Sequence, residues 1–160
     1  MMYNAPVNQI TDTLNDIARI DDLAATGGFP NFDGDLIAPI LDEANKLARD
    51  VLSPLNPIGH KHGVKLTDAG VISAPGFSDA YARFREGGWM GLAFPEEFGG
   101  QGLPKAMALA VMEMMHASNM AFALCPVLTT GAVEALHASA GKDLQETFLP
   151  RMVSGAWTGT

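Results

Sequence analysis

The long apolar stretch from Ala106 to Leu128 constrains the fold of this 160-residue chain more than any other feature. Eighteen of its 23 residues are apolar. Five residues that disfavour a membrane span interrupt it: Glu113, His116, Ser118, Asn119 and Pro126. A helix that is apolar on all sides needs cover on all sides. We therefore predict two buried helices that meet at Ser118–Asn119, and no transmembrane segment.

Five of the nine methionines of the chain lie in this stretch. Methionine is flexible and polarisable, so it suits both an irregular core and an adaptable apolar cavity. Core filling is the favoured interpretation. The alternative is that an outer face of these helices meets another domain or an apolar ligand.

Helical periodicity recurs along the rest of the chain. One apolar stripe covers residues 35–52 and is formed by Leu36, Ile40, Ala44, Leu47 and Val51. We expect this helix to end before Pro54 and Pro57. Shorter patterns predict helices over residues 10–17, 75–86 and 142–152, with a small hairpin near residues 68–70. The sequence therefore predicts an all-α fold, a bundle of five or six helices.

The charge and the single cysteine limit the function classes. A net charge of −8 and a pI near 4.7 disfavour a nucleic-acid-binding protein, which would carry a basic patch. Because it is acidic, such a chain would also bind a phosphate-bearing ligand poorly on its own. Cys125 is the only cysteine, which excludes an internal disulfide, favours a cytoplasmic location and predicts a small buried thiol.

The segment "FPEEFGGQGLP" places Gly99, Gly100 and Gly102 just before the apolar stretch. A dinucleotide-binding or Walker loop would follow a buried strand, and a Walker loop would end in Lys-Ser or Lys-Thr. Here the glycines follow Pro-Glu-Glu, and no such lysine comes after them. We predict a tight turn in which glycine supplies positive φ angles.

Other polar residues suggest structural roles. Glu113, alone in an apolar helix, predicts an internal ion pair or hydrogen bond, with Arg83 or Arg85 as the candidate partner. His60 and His62 form an H-x-H pair without a third ligand nearby, which favours a solvated loop over a metal site.

The order of the motifs carries a family resemblance. The segments "LDEANKLARDVLSPLN", "GGWMGLAFPEEFGGQGLP", "NMAFALCPVLTTGAVEAL" and "TFLPRMVSGAWTGT" follow one another. Together they resemble the amino-terminal helical domain of FAD-dependent acyl-CoA dehydrogenases, in particular a larger subgroup that includes enzymes for 3-methylthiopropanoyl-CoA. The resemblance implies an extension with a short helix at residues 1–32, the helical domain at 33–155, and the start of a middle β-domain at 156–160.

The resemblance also implies a function for the complete protein. Such an enzyme oxidises acyl-CoA to 2,3-enoyl-CoA with FAD, passes electrons to electron-transfer flavoprotein and forms a homo-oligomer. The catalytic glutamate and most FAD contacts belong to later domains, so we expect this chain to be an inactive fragment with no catalytic residue. Its helix after Asn119 would line the acyl pocket, with Phe122, Pro126 and Thr130 as the candidate substrate contacts. Whether that helix continues through Pro126 to Thr130 stays open.

Two other function classes remain at this point. The chain could be a standalone helical binding or interaction module without redox activity. It could also be a carrier of apolar ligands built around the methionine-rich helices. The residues that follow Thr160 would distinguish these hypotheses from the dehydrogenase.

Overall fold

The computed structural model describes residues 3–159 and is almost entirely helical. Residues 1 and 2 of the predicted extension, and Thr160 of the predicted β-domain start, lie outside the described residues. The all-α prediction is confirmed. Within the described residues the helices number seven when directly continuous segments are counted together, against the five or six predicted.

The additional helix is α2, Ile20–Ala25, which follows α1, Val7–Asp12, and its π-helical continuation Thr13–Ile17. Ile10, Leu14 and Ile20 are buried in the same core as the later helices. A hydrogen bond also holds the chain ahead of α1, because Ala5 N donates to the side-chain Oδ1 of Asn45 at 2.8 Å. Residues 3–25 thus pack onto the bundle.

The predicted end of the second helix at Pro54 is wrong. Helix α3, Ile37–Lys46, passes through a π-helical segment, Leu47–Leu52, into α4, Ser53–His62. The wider π-helical turns change the hydrogen-bond register just before the proline. Pro54 therefore occupies the second position of a new α-helical segment, where its missing N–H costs little. His60 and His62 consequently lie in the last turn of α4, exposed to solvent, and not in a loop.

A short antiparallel hairpin follows α4, as predicted. Strand β1, Lys65–Thr67, pairs with β2, Gly70–Ile72, with Leu66 opposite Val71. Helix α5, Phe77–Glu86, then leads through a 3₁₀ turn, Trp89–Gly91, into the glycine loop. A second 3₁₀ turn, Glu96–Phe98, lies inside that loop.

Three helices complete the bundle: α6, Lys105–Ser118, α7, Met120–Ser139, and α8, Lys142–Val153. Helix α6 packs between α3 and α7, and α8 packs on α7. Met107, Met114 and Met115 are fully buried, which confirms core filling for these three methionines. The predicted joint at Ser118–Asn119 is also confirmed, because Asn119 separates α6 from α7 and caps α7 through its side chain.

Helix α7 has the length and apolar composition that a membrane-crossing helix would need. Core helices of other proteins meet the same criterion, so composition alone decides little. One side of α7 belongs to the core, where Phe122, Thr129 and Val133 are buried. The opposite side is exposed, contrary to the expectation that the whole apolar stretch is covered.

Candidate functional site

A cleft of about 700 Å³ lies beside the antiparallel pair α6 and α7. Its floor contains the buried rings of Phe84 and Phe94. We call it the α6–α7 cleft; its helical walls are formed by Ala108, Leu109, Met112, Glu113 and His116 of α6 and by Val127, Thr130, Glu134, His137 and Ala138 of α7. The lining is mainly apolar with a few polar groups, which is the usual composition of a small-molecule site.

Polar groups lie along the edges of the α6–α7 cleft. Lys105 Nζ and Glu134 Oε1 are 2.7 Å apart and form an exposed ion pair between the two helices. His116 Nδ1 lies 2.7 Å from the carbonyl oxygen of Met112, and the His137 ring meets Phe98 edge to face at 5.8 Å. The cleft therefore offers charged and imidazole side chains beside its apolar lining.

An exposed apolar ridge borders the cleft. Met120, Leu124 and Leu128 are each about half exposed, at 53%, 49% and 50%, and Val127 is 38% exposed. These four residues, which we call the α7 ridge, share one side of the helix through their three- and four-residue spacing. Val127 belongs to both features, so the ridge and the cleft form one continuous apolar surface.

The three predicted substrate contacts are not on one surface. Phe122 is buried, and its ring contacts Phe84 at 5.8 Å and Tyr81 at 6.3 Å. Pro126 is also buried, whereas Thr130 lines the α6–α7 cleft. Four-residue spacing advances about 40° around a helix at each step, which carries this series from the core to the cleft. The role of all three residues in substrate binding stays a prediction.

Helix α7 continues without a break through Pro126 to Ser139. Thr130 Oγ1 donates to the carbonyl oxygen of Pro126 at 3.0 Å. Thr129 Oγ1 donates to the carbonyl oxygen of Cys125 at 2.9 Å and accepts from Gly159 N at 3.2 Å. The hydrogen bond from Gly159 N holds the segment after α8 against α7.

The glycine loop is a closed turn. The N–H groups of Gly100, Gln101, Gly102 and Leu103 donate to the carbonyl oxygens of Pro95, Gly91, Phe94 and Leu92, at distances of 2.9–3.0 Å. Gly99 and Gly102 have positive φ angles, as predicted. These amide groups have partners within the loop and cannot surround a phosphate. The loop therefore does not fit the pyrophosphate of FAD.

Two further predictions are wrong. Glu113 is exposed at the cleft, and the ion pairs formed within residues 3–159 do not include it. Cys125 is exposed on α7 instead of buried, although partial burial still raises the pKa of its thiol. Both errors have one cause, because the outward sides of α6 and α7 are as apolar in sequence as their inward sides.

The part of the chain that the structure describes holds no group of three or more histidine, cysteine, aspartate or glutamate side chains that could bind a metal.

Comparison with known proteins identifies the family of this bundle. Residues 40–156 match the model of the acyl-CoA dehydrogenase N-terminal domain. The chain belongs to the acyl-CoA dehydrogenase family. It is 34% identical, over its whole length, to 3-methylmercaptopropionyl-CoA dehydrogenase of Ruegeria pomeroyi, of which it covers 27%. It is 33% identical over 151 residues to a butyryl-CoA dehydrogenase of Syntrophomonas wolfei, covering 92% of this chain and 24% of that protein.

The chain thus spans about a quarter of the length of these acyl-CoA dehydrogenases. The resemblance seen in the motifs is confirmed, and the bundle is the N-terminal domain of the family. The sequence-based site prediction missed Leu124, Leu128 and the rest of the α7 ridge. The local pattern carried no signal for them, because α7 is apolar on its exposed side as well as on its buried side.

Proposed function

We propose that the complete protein is an FAD-dependent acyl-CoA dehydrogenase that oxidises acyl-CoA to 2,3-enoyl-CoA. In this reaction the acyl group loses an α-proton to a base and a β-hydride to FAD. The amide groups of the glycine loop are bonded within the loop, and on this proposal other parts of the complete protein hold most of the flavin and supply the base. The contribution of this domain is to bind and enclose the acyl group.

The exposed apolar surface of α7 carries this proposal. Four large apolar side chains on one side of a helix are costly to leave in water, at about 25 cal/mol for each Å² of apolar area that binding would cover. Family membership makes an acyl group the natural occupant, because the α7 ridge is on the helix that the resemblance assigns to the acyl pocket. Thr130 and Val127 of the adjoining cleft would then lie beside it.

The names of the relatives bear on the substrate class. One relative is named for a 3-methylmercaptopropionyl-CoA and another for butyryl-CoA, both short acyl groups. We propose a short to medium acyl-CoA as the substrate here. Electron-transfer flavoprotein as the acceptor and a homo-oligomeric assembly belong to the same proposal.

Dye reduction with the complete protein tests the proposed function. We expect acyl-CoA-dependent reduction that requires FAD and yields the 2,3-enoyl product. The 160-residue chain alone, assayed beside it with the same FAD and acyl-CoA, should give no turnover. No turnover by the FAD-loaded complete protein on any acyl-CoA from butanoyl to dodecanoyl would overturn the proposal and favour a binding module.

A binding module without redox activity is the second candidate. The α6–α7 cleft favours this candidate, because residues of this chain alone form the cleft. Calorimetric titration of the 160-residue chain with butanoyl-CoA would distinguish the two candidates. Tight binding by this chain alone, without any oxidation by the complete protein, would select the module.

A further inference from the structure

The chain turns back onto the bundle after α8, which ends at Val153. We call residues 155–159 the exit segment. Tyr81 of α5 donates from its hydroxyl group to the carbonyl oxygen of Gly155 at 2.9 Å. Gly155 is buried and has a φ of 70°, and a Cβ atom there would lie 3.1 Å from Cγ of Arg85. Helix α5 therefore holds the first residue of the exit segment at a position that favours glycine.

Helix α8 holds the middle of the exit segment. Trp157 N donates to the carbonyl oxygen of Arg151 at 3.0 Å. Arg151 Cζ lies 4.6 Å from the centroid of the Trp157 ring, within the range of a cation–π interaction. The Phe148 ring lies 5.9 Å from the same indole. Both the backbone and the side chain of Trp157 are thus attached to α8.

Helix α7 holds the last residue of the exit segment. Gly159 N donates to Oγ1 of Thr129 at 3.2 Å, and Thr129 is fully buried. A Cβ atom added to Gly159 would lie 2.6 Å from Cε of Met152 and 2.9 Å from Cβ of Ala132. The methionine methyl group can move, but Cβ of Ala132 is bonded directly to the α7 backbone. The exit segment therefore lies too close to α7 for a side chain at Gly159.

The three attachments are two residues apart and belong to three different helices. Alternate residues of an extended chain point to opposite sides, and the intervening Ala156 and Thr158 are exposed. Links between independent domains are usually exposed and flexible, with few contacts to either side. The exit segment has the opposite properties.

We propose that the exit segment is a rigid connection through which the bundle sets the orientation of the domain that follows it, with Thr129 as the positioning residue. This inference rests on the part of the proposed function that places further domains after this one, and not on the reaction. The bond from Gly159 is the last attachment in the described chain. Without it, the chain would be held only as far as Trp157 and could swing away from α7.

The test compares Thr129→Val with Thr130→Val in the complete protein. Both threonine hydroxyls donate to the carbonyl oxygen four residues earlier in α7. Within the described residues, Thr129 Oγ1 is the one of the two that also accepts from Gly159 N. Valine has nearly the same shape as threonine, so both variants keep the helix and its packing. The pair therefore isolates the attachment of Gly159.

Hydrogen–deuterium exchange, followed by mass spectrometry, measures how firmly the exit segment is held. In the wild type we expect the amides of Trp157 and Gly159 to exchange as slowly as those of α8. In Thr129→Val, exchange at Gly159 should be at least about tenfold faster, because the amide loses its buried hydrogen-bond partner. Exchange within α7 and α8 should stay the same. Thr130→Val should equal the wild type throughout.

Small-angle X-ray scattering measures the orientation itself. The radius of gyration of the complete protein should rise in Thr129→Val and stay at the wild-type value in Thr130→Val. An unchanged radius in Thr129→Val would overturn the positioning role, and so would equal effects of the two variants.

Fast exchange of the exit segment in the wild type would overturn the rigid connection. None of these measurements involves acyl-CoA. A wild-type protein whose exit segment exchanges slowly, but which gives no dye reduction, would overturn the proposed reaction alone.

Discussion

Asn119 donates a hydrogen bond from Nδ2 to the carbonyl oxygen of Leu52, 67 residues earlier in the chain, at a distance of 3.0 Å. Its Oδ1 atom accepts from Phe122 N at 3.1 Å and so caps α7. The side chain is fully buried. One amide therefore fixes both the start of α7 and the position of that start on the π-helical segment that joins α3 to α4.

Replacing Asn119 by alanine should destabilise the fold by about 2–4 kcal/mol. Loss of an N-cap costs about 1 kcal/mol, and an unsatisfied buried carbonyl group about 1–3 kcal/mol more. Denaturant unfolding of the chain measures the loss. Asn56→Ala is the control, because this asparagine is exposed on α4 and should change the free energy of unfolding by less than about 0.5 kcal/mol. Equal effects of the two changes would contradict the double role of Asn119.

Phe122→Ala should lower stability more than it changes substrate preference. The Phe122 ring packs against Phe84 and Tyr81, so truncation should cost about 3–5 kcal/mol. Phe84 lies between Phe122 and the α6–α7 cleft, and we expect the acyl-chain profile of the complete protein to stay the same. Melting temperatures and kcat/KM profiles of the same variant measure both effects. A changed profile with an unchanged melting temperature would instead make Phe122 a ligand contact.

Gly100→Ala should destabilise the fold by about 1–3 kcal/mol or more, because overpacking usually costs that much. A Cβ atom there would lie 2.0 Å from the backbone oxygen of Phe94, which itself accepts the hydrogen bond from Gly102 N. The same substitution at Gly141, where an added Cβ meets no atom within 4 Å, should have little effect. The midpoint of urea unfolding compares the two. Similar midpoints would show that the loop can open without loss of the fold.

The sequence predicted the fold class because most helices have one apolar side. Local residue patterns were enough to predict the helix that carries the stripe from Leu36 to Val51 and the joint at Ser118–Asn119. The end at Pro54 could not be predicted from the same rules. A π-helical segment moves the hydrogen-bond register ahead of the proline, and no local residue pattern marks such a segment.

The candidate site was harder to predict for a different reason. Helix α7 is apolar both at Phe122 and Val133, which are buried, and at Leu124 and Leu128, which are half exposed. Periodicity finds an apolar side only where the opposite side is polar. The aromatic rings of α5 that contact Phe122 decide which side of α7 faces the core. The local sequence pattern does not encode such tertiary contacts.

Alkylation of Cys125 should depend on pH in a way that reports its surroundings on α7. The thiol is exposed, so reagents can reach it, but partial burial disfavours the thiolate and raises its pKa above the ordinary value of 9.0. Only the thiolate reacts. The folded chain should therefore react more slowly with iodoacetamide at pH 8 than the same chain unfolded in urea. The rate of the folded chain should also reach its half-maximum at a higher pH.

The unfolded chain is the matched control, because it carries the same single cysteine without the fold. A folded-state midpoint at or below the unfolded one would contradict this prediction, because it would mean that a positive charge or a hydrogen-bond donor stabilises the thiolate.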